Sequence, residues 1–210
     1  MIADSENRAR RIKLILFDVD GVLTDGSIWF MPSAAGGPRS TDAHRAQHGD
    51  APGYGIVSQT FAEAKGFNAH DGTGISLARL GGLKTGMVTK RISETVALRA
   101  RDLKIDYLFQ GADNKSDVLD KILEQSGLIE EQVAYVGDDV IDLPIMRRCG
   151  LAIAVANARP QVKAMAHWST PSQGGRGAAR DAVEYILQAQ GTLDRVIEAY
   201  IQAKTHVELK

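Results

Sequence analysis

The chain has 210 residues, enough to bury a substantial core. Its formal net charge is −1, with 44% hydrophobic and 24% charged residues, a globular balance that supplies no global field to gather nucleic acid or an anionic membrane. No apolar run approaches the roughly 20 residues of a membrane span; Met1–Lys13 is too charged for a secretory leader; and the single cysteine, Cys149, excludes an internal disulfide and fits a reducing cytoplasm.

In chain order, short apolar runs alternate with amphipathic stretches, the pattern of an α/β fold with a mostly parallel central sheet. Ile12–Phe17 reads as a fully buried strand. Ser27–Met31 and Gly55–Phe61 look extended and flank Met31–Tyr54, which is rich in Gly, Pro, Ala, Ser and His and has no hydrophobic period. A structureless run of that length is unusual inside a compact chain, and it reads as the overgrown tip of a β-hairpin inserted after the first strand. His44 and His48 fall in that tip; with no third ligand beside them they read as loop residues rather than a metal site. Thr73–Leu80 is helical and Lys84–Thr89 is a second strand. Ser93 caps a helix running to about Leu103, Tyr107–Phe109 is short and extended, and Asn114 or Lys115 opens a helix that Gly127 closes. Val133–Val136 is a buried strand, followed by a short helix over Leu143–Arg148 and a further apolar run, Leu151–Val155. Pro160 starts another helix at a favoured first-turn position, and helices near Ala178–Gln190 and Leu193–Lys204 close the chain. Cys149 reads as a packed small hydrophobe, not a nucleophile. No repeat or linker divides the sequence, so residues 1–210 read as one domain with a hairpin insertion at about 27–61.

The chemistry concentrates at strand ends. Asp18-Val19-Asp20-Gly21 follows the first apolar strand directly. Side chains two apart in extended backbone point the same way, so Asp18 and Asp20 converge just past the strand's carboxyl end, where open α/β sheets place their ligands. Carboxylates this close repel unless a cation or shared proton offsets the repulsion. Beside Mg²⁺, one carboxylate can attack phosphorus covalently while the other protonates the leaving oxygen and then activates water. A second acidic group, Asp138, Asp139 and Asp142, follows Val133–Val136 and suits a hard cation. Asp138 is the candidate direct ligand and Asp139 a ligand through water, while Asp142 is open between function and helix capping. Thr89 ends one strand and Lys115 opens a helix after another, positions from which a hydroxyl and an ammonium can hold phosphate oxygens.

Asp18-Val19-Asp20-Gly21, Thr89, Lys115 and Gly137-Asp138-Asp139-Val140-Ile141-Asp142 resemble, in order, the four motifs of the haloacid dehalogenase-like phosphatases. Asp71-Gly72-Thr73-Gly74-Ile75, Tyr107-Leu108-Phe109-Gln110-Gly111, Val133-Ala134-Tyr135-Val136-Gly137-Asp138-Asp139 and Gly174-Gly175-Arg176-Gly177-Ala178-Ala179-Arg180 narrow the resemblance to the 3-deoxy-D-manno-octulosonate 8-phosphate phosphatases. It covers nearly all of the chain from Ile12 to about Gly191, except the loop Met31–Tyr54. The resemblance implies a Rossmann-like three-layer sandwich without a large cap domain. It implies Asp18 as nucleophile, Asp20 as general acid and base, Thr89 and Lys115 gripping the phosphoryl group, and Mg²⁺ held by Asp18, the Asp20 backbone carbonyl and Asp138. It implies a cytoplasmic homotetramer with the hairpin at the subunit interface, hydrolysing the octulosonate phosphate to the free sugar acid and phosphate for lipopolysaccharide synthesis. Asp71, Arg176 and Arg180 join Lys90 and Arg91 as substrate-binding candidates, guanidinium groups suiting phosphate or a sugar carboxylate.

Three departures accompany the match. Lys90 stands where relatives usually have glycine, His70 where an arginine is common, and the tip Met31–Tyr54 is expanded. These keep open the same chemistry on a nonulosonate 9-phosphate or another small phosphorylated metabolite, and a role as a delta-type subunit of a phenylphosphate carboxylase complex. The complete catalytic motifs argue against a purely structural role.

Overall fold

Leu14–Phe17 (β1), apolar at every position, lies in the interior of a six-stranded sheet. The computed structural model of the protein describes residues 2–32 and 61–205. β1 pairs in parallel with Lys84–Val88 (β4) on one side and Val133–Gly137 (β6) on the other, with Phe17 opposite both Met87 and Val136. Tyr107–Phe109 (β5) extends the sheet beyond β4, and Leu151–Ala154 (β7) and Trp168–Ser169 (β8) extend it beyond β6, giving the order β5-β4-β1-β6-β7-β8. Every pairing is parallel. A parallel sheet is covered on both faces, which is why its strands read as solid apolar runs without alternation.

The helices form the outer layers. Ala69–Leu80 (α2) and Glu94–Asp102 (α3) connect β1 to β4 and β4 to β5. Lys115–Ser126 (α4), Leu143–Met146 (α5) and Pro160–Met165 (α6) make the crossovers running the other way, to β6, β7 and β8. Right-handed crossovers place these two groups on opposite faces. Ala178–Ala189 (α7) and Leu193–Thr205 (α8) return to pack on α2, and Ile2–Ala9 (α1) packs on α7. Local chemistry marks the ends: Asn68 and Asn114 accept backbone N–H groups at the starts of α2 and α4, and Gly127 closes α4 in the left-handed region at φ 67°.

Trp29–Pro32 (β2) and Phe61–Ala64 (β3) form a separate antiparallel pair, with Trp29 opposite Ala64 and Pro32 opposite Phe61. The hairpin is therefore present after β1; of the expected extended stretch Gly55–Phe61 only Phe61 is among the described residues, and it opens β3. His44, His48 and most of Met31–Tyr54 lie outside the described residues.

Two elements, α1 and β8, were not read from the sequence, and α2 was read short. α1 carries a polar run but is anchored by buried Ala9, by Ser5 Oγ 2.6 Å from the Tyr185 hydroxyl, and by Arg8 Nη1 donating to the Gly150 carbonyl. α2 begins at Ala69 rather than Thr73 because Asn68 caps it. β8 is only two residues long, and Trp168 is held by stacking on Tyr185 with ring centroids 4.1 Å apart. Among the described residues, no helix is long and apolar enough to cross a membrane.

Candidate active site

The chain leaves β1 toward β4 on one side and later returns to β6 on the other, so a crevice opens at the carboxyl end of β1. Asp18 is the first residue past β1, Thr89 the first past β4, and Asp138 the first past β6. The backbone after Asp18 makes a wide turn closed by Thr24 N donating to the Val19 carbonyl, 3.0 Å. Gly21 takes φ 93° in that turn, and a Cβ there would overlap the Asp138 carboxylate. Only glycine allows both the left-handed backbone and that approach.

Lys115 lies at the centre of the polar cluster, 1% exposed. Its Nζ is 2.9 Å from Asp18 Oδ1 and donates to Asp142 Oδ1 (2.6 Å) and the Tyr135 hydroxyl (2.9 Å). An ammonium has three N–H donors, so all of them are engaged. Burial alone would lower the lysine's pKa, but the charges of Asp18 and Asp142 outweigh it and the net shift is upward. Lys115 is cationic here.

Asp142 settles between the roles left open for it. Its Oδ1 accepts Lys115 and Tyr135, and its Oδ2 accepts the backbone N–H groups of Asp138 and Asp139 at 2.9 and 3.2 Å. With every lone-pair direction used, it organises the cluster. Asp139, expected near the metal, is exposed, and its Oδ1 caps the next turn by accepting Val140 N at 2.7 Å.

Asp18, Asp138 and Asp142 each present an oxygen within 4.8 Å of the others. Asp142 being saturated, the available donors are Asp18 and Asp138. Asp18 Oδ1 is tied to Lys115 and to Val19 N (2.7 Å), which leaves Oδ2 for chemistry. Asp138 Oδ1 is buried without a hydrogen-bond partner. Burial, reinforced by Asp18 and Asp142, pushes the Asp138 carboxyl up to about 8. Burial also raises Asp18, to about 7, with Asp142 adding to it and Lys115 opposing it. Crowded carboxylates and an orphaned buried oxygen leave negative charge unbalanced, and a hard, oxygen-seeking divalent cation such as Mg²⁺ fits that donor set.

Asp20 approaches the same crevice with its side chain 20% exposed. Lys65 Nζ donates to its Oδ1 at 2.5 Å, while its Oδ2 is buried without a hydrogen bond. Arg91 and Glu63 complete this group. Arg91 Nη2 donates to Glu63 Oε2 at 2.9 Å, and Arg91 Nε stands 3.9 Å from Asp20 Oδ2. Thr89 is 2% exposed, and its Oγ1 accepts the Arg91 N–H at 3.3 Å. Lys90 faces Asp113, 3.9 Å away.

The other substrate-binding candidates have partners of their own. Asp71 is 2% exposed and accepts the backbone N–H groups of Gly177 and Arg180 at 3.2 and 3.1 Å. Through these two bonds the side chain caps the start of α7. Arg180 pairs with Glu184 one turn along α7 at 2.6 Å, and Arg176 lies in the field of Asp25. The glycines beside Arg176 have a structural reason. Gly175 N donates to the Val22 carbonyl at 2.7 Å, and a Cβ on Gly174 would overlap the Gly21 carbonyl, so this segment is clamped onto the nucleophile turn. Cys149 is buried, and burial pushes its thiol up to about 12, which suits packing.

Glu63, Lys65 and Tyr135 were missed as functional candidates. Glu63 lies in β3 and Lys65 just past its end, and their roles come from Asp20 and Arg91, which are distant in sequence. Tyr135 reads as one more apolar residue within a buried strand.

Residues 91–180 match a family model described as haloacid dehalogenase-like hydrolase. The 3-deoxy-D-manno-octulosonate 8-phosphate phosphatase of Escherichia coli (strain B / BL21-DE3) is 36% identical over 192 residues, covering 91% of this chain and 88% of that protein. Among solved structures, a probable YrbI family phosphatase from Pseudomonas syringae pv. phaseolica superposes with TM-score 0.79 at 42% identity, covering 95% of this chain and 98% of that one. The 3-deoxy-D-manno-octulosonate 8-phosphate phosphatase of Moraxella catarrhalis, solved with magnesium, phosphate and the KDO sugar acid, superposes with TM-score 0.79 at 30% identity, covering 95% and 99%.

Proposed function

The chain belongs to the 3-deoxy-D-manno-octulosonate 8-phosphate phosphatase family of haloacid dehalogenase-like hydrolases, and on that footing we propose that it hydrolyses 3-deoxy-D-manno-octulosonate 8-phosphate to the free sugar acid and phosphate. The observation that carries the reading is the convergence of Asp18 and Asp138, at the ends of the adjacent strands β1 and β6, with Lys115 at the start of α4, one oxygen of Asp18 being left free.

Asp18, Asp138 and the Asp20 backbone carbonyl would hold Mg²⁺, with Asp139 reaching it through water. The ion supplies positive charge that offsets the meeting of carboxylate and phosphate anions. Asp18 Oδ2 attacks phosphorus, and the bond from phosphorus to the sugar oxygen breaks as the new bond forms. Asp20, protonated on Oδ2, delivers that proton to the departing oxygen. It then takes a proton from the water that attacks the aspartyl-phosphate, which regenerates Asp18 and frees phosphate. Lys115 and the Thr89 hydroxyl face the charge that spreads over the phosphoryl oxygens. Lys90, Arg91, Arg176 and Arg180 supply cations for the substrate's other end.

The reading extends to a single cytoplasmic domain acting as a homotetramer. Its support is the hairpin, where Trp29, Phe30, Met31 and Phe61 are 65%, 47%, 54% and 50% exposed, an apolar surface that a lone protein in water rarely leaves open. Changing Trp29 and Phe61 together to serine is expected to shift the mass in solution from tetramer toward smaller species, read by light scattering. An unchanged mass would remove the hairpin from the interface.

The substrate assignment is tested by kcat/KM for the octulosonate 8-phosphate, a nonulosonate 9-phosphate, ribose 5-phosphate and p-nitrophenyl phosphate, each with Mg²⁺ and with EDTA. The octulosonate ester is expected to lead the others by about 10²-fold or more, the scale available when buried polar groups match a substrate, and EDTA is expected to abolish release. A nine-carbon preference would reassign the substrate. No metal-dependent release from any ester would withdraw the enzyme.

A further inference from the structure

We propose that Lys65 is a positioning residue for the proton-transferring aspartate, acting with Glu63 to hold the Asp20 carboxyl toward the phosphoryl site. The inference rests on the role given to Asp20 above.

The Lys65 side chain is 0% exposed, and the acceptors it meets are Asp20 Oδ1 at 2.5 Å and Glu63 Oε1 at 3.6 Å. A fully buried lysine is rare and is held only by well-placed partners. Arg91 closes the far side of the group, bonded to Glu63 Oε2 and 3.9 Å from Asp20 Oδ2. Lys65, Asp20, Arg91 and Glu63 thus form a ring in which basic and acidic side chains alternate. The ring ties down Asp20 Oδ1 and leaves Oδ2 buried and without a hydrogen bond. That is the oxygen from which a proton reaches the departing sugar oxygen.

The ring's other half comes from the hairpin. Glu63 lies in β3 and Lys65 immediately follows it, and the strand is pinned to the body by Thr95 Oγ1 donating to the Glu63 carbonyl at 3.1 Å. Among the described residues, the hydrogen bond to the Asp20 side chain comes from Lys65 and not from the turn after β1. Its orientation is therefore set by a segment of chain some forty-five residues away. Stability does not require this arrangement, since buried ion pairs replaced by apolar groups of similar volume often leave a fold as stable. Holding a reacting group within a fraction of an ångström does require it.

Proton delivery matters in proportion to the leaving group. A sugar alkoxide must be protonated as it departs, whereas p-nitrophenolate departs without help. The quantity kcat/KM covers the steps up to transfer of the phosphoryl group to Asp18, so it isolates the step in which Asp20 is the acid. Lys65→Met is expected to lower kcat/KM for the octulosonate phosphate by roughly 10²-fold while lowering it for p-nitrophenyl phosphate by less than about threefold. Lys65→Arg should restore most of the loss, since it returns the charge. In an Asp20→Asn background, Lys65→Met should add nothing, because groups that act as a unit are not additive. Equal losses on both substrates, or additive losses with Asp20→Asn, would overturn the proposal. If Asp20→Asn alone fails to separate the substrates, the role of Asp20 falls, and this inference with it. Should Lys65→Met not fold, Glu63→Gln and Lys65→Arg carry the same comparison, the first expected to show the same selective loss to a smaller degree.

Discussion

Asp18→Asn leaves a folded protein whose turnover is lower by roughly 10⁴-fold or more, the scale seen when a covalent nucleophile is removed. The amide keeps the shape of a side chain that is 3% exposed but cannot form the acyl-phosphate bond. Two facts argue that the fold survives. Lys115 retains Asp142 and Tyr135 as partners, and the carboxylate being removed is one that burial penalises. Phosphate release under single-turnover conditions, with a melting curve alongside, checks both parts. Residual activity within about tenfold of the parent would dismiss Asp18 as nucleophile, because that small a loss is only about 1.4 kcal/mol of barrier.

Asp138→Asn gives the other large effect, with two signs. Activity is expected to fall by roughly 10³-fold, the loss of a carboxylate that neutralises and orients a catalytic ion. Stability of the metal-free protein is expected to move the opposite way. In the unfolded chain this carboxyl loses its proton near the ordinary 3.8, while the folded protein holds it until about 8. Between those values the folded state binds more protons, so the free energy of unfolding drops as pH rises. The asparagine variant lacks that slope. It should therefore melt above the metal-free parent at pH 8, with the gap closing toward pH 4. Mg²⁺ should restore the parent and leave the variant unmoved, since a ligand stabilises only the state that binds it. Melting scans at pH 5 and 8, with and without Mg²⁺, separate these cases, and a variant that melts lower at pH 8 would contradict the account.

Much of this was legible before the structure. The parallel sheet could be read from Leu14–Phe17, Val133–Val136 and Leu151–Ala154 because strands buried on both faces carry no polar alternation. Asp18 and Asp138 could be read because each follows such a run. What escaped is what depends on contacts distant in sequence. Asp142 is equally acidic, but only its bonds to Lys115, Tyr135 and two backbone N–H groups show that it is saturated. Asp71 reads from the sequence only as part of Asp71-Gly72-Thr73-Gly74, and its bonds to Gly177 and Arg180, which cap α7, depend on residues more than 100 positions away. Lys65 falls between the stretches read as Gly55–Phe61 and Thr73–Leu80, and no local pattern announces a lysine whose partner is Asp20. α1 was invisible for a related reason: its burial comes from the far end of the chain.

The clamp of Gly174 and Gly175 on the turn after Asp18 has a bearing on biosynthesis. A ribosome delivers Asp18 and Asp20 early, yet the carbonyls of Gly21 and Val22 meet their packing and hydrogen-bonding partners only after more than 150 further residues have emerged. A chain arrested before that point holds Asp18, Asp20, Thr89, Lys115 and Asp138, but an incompletely braced nucleophile turn.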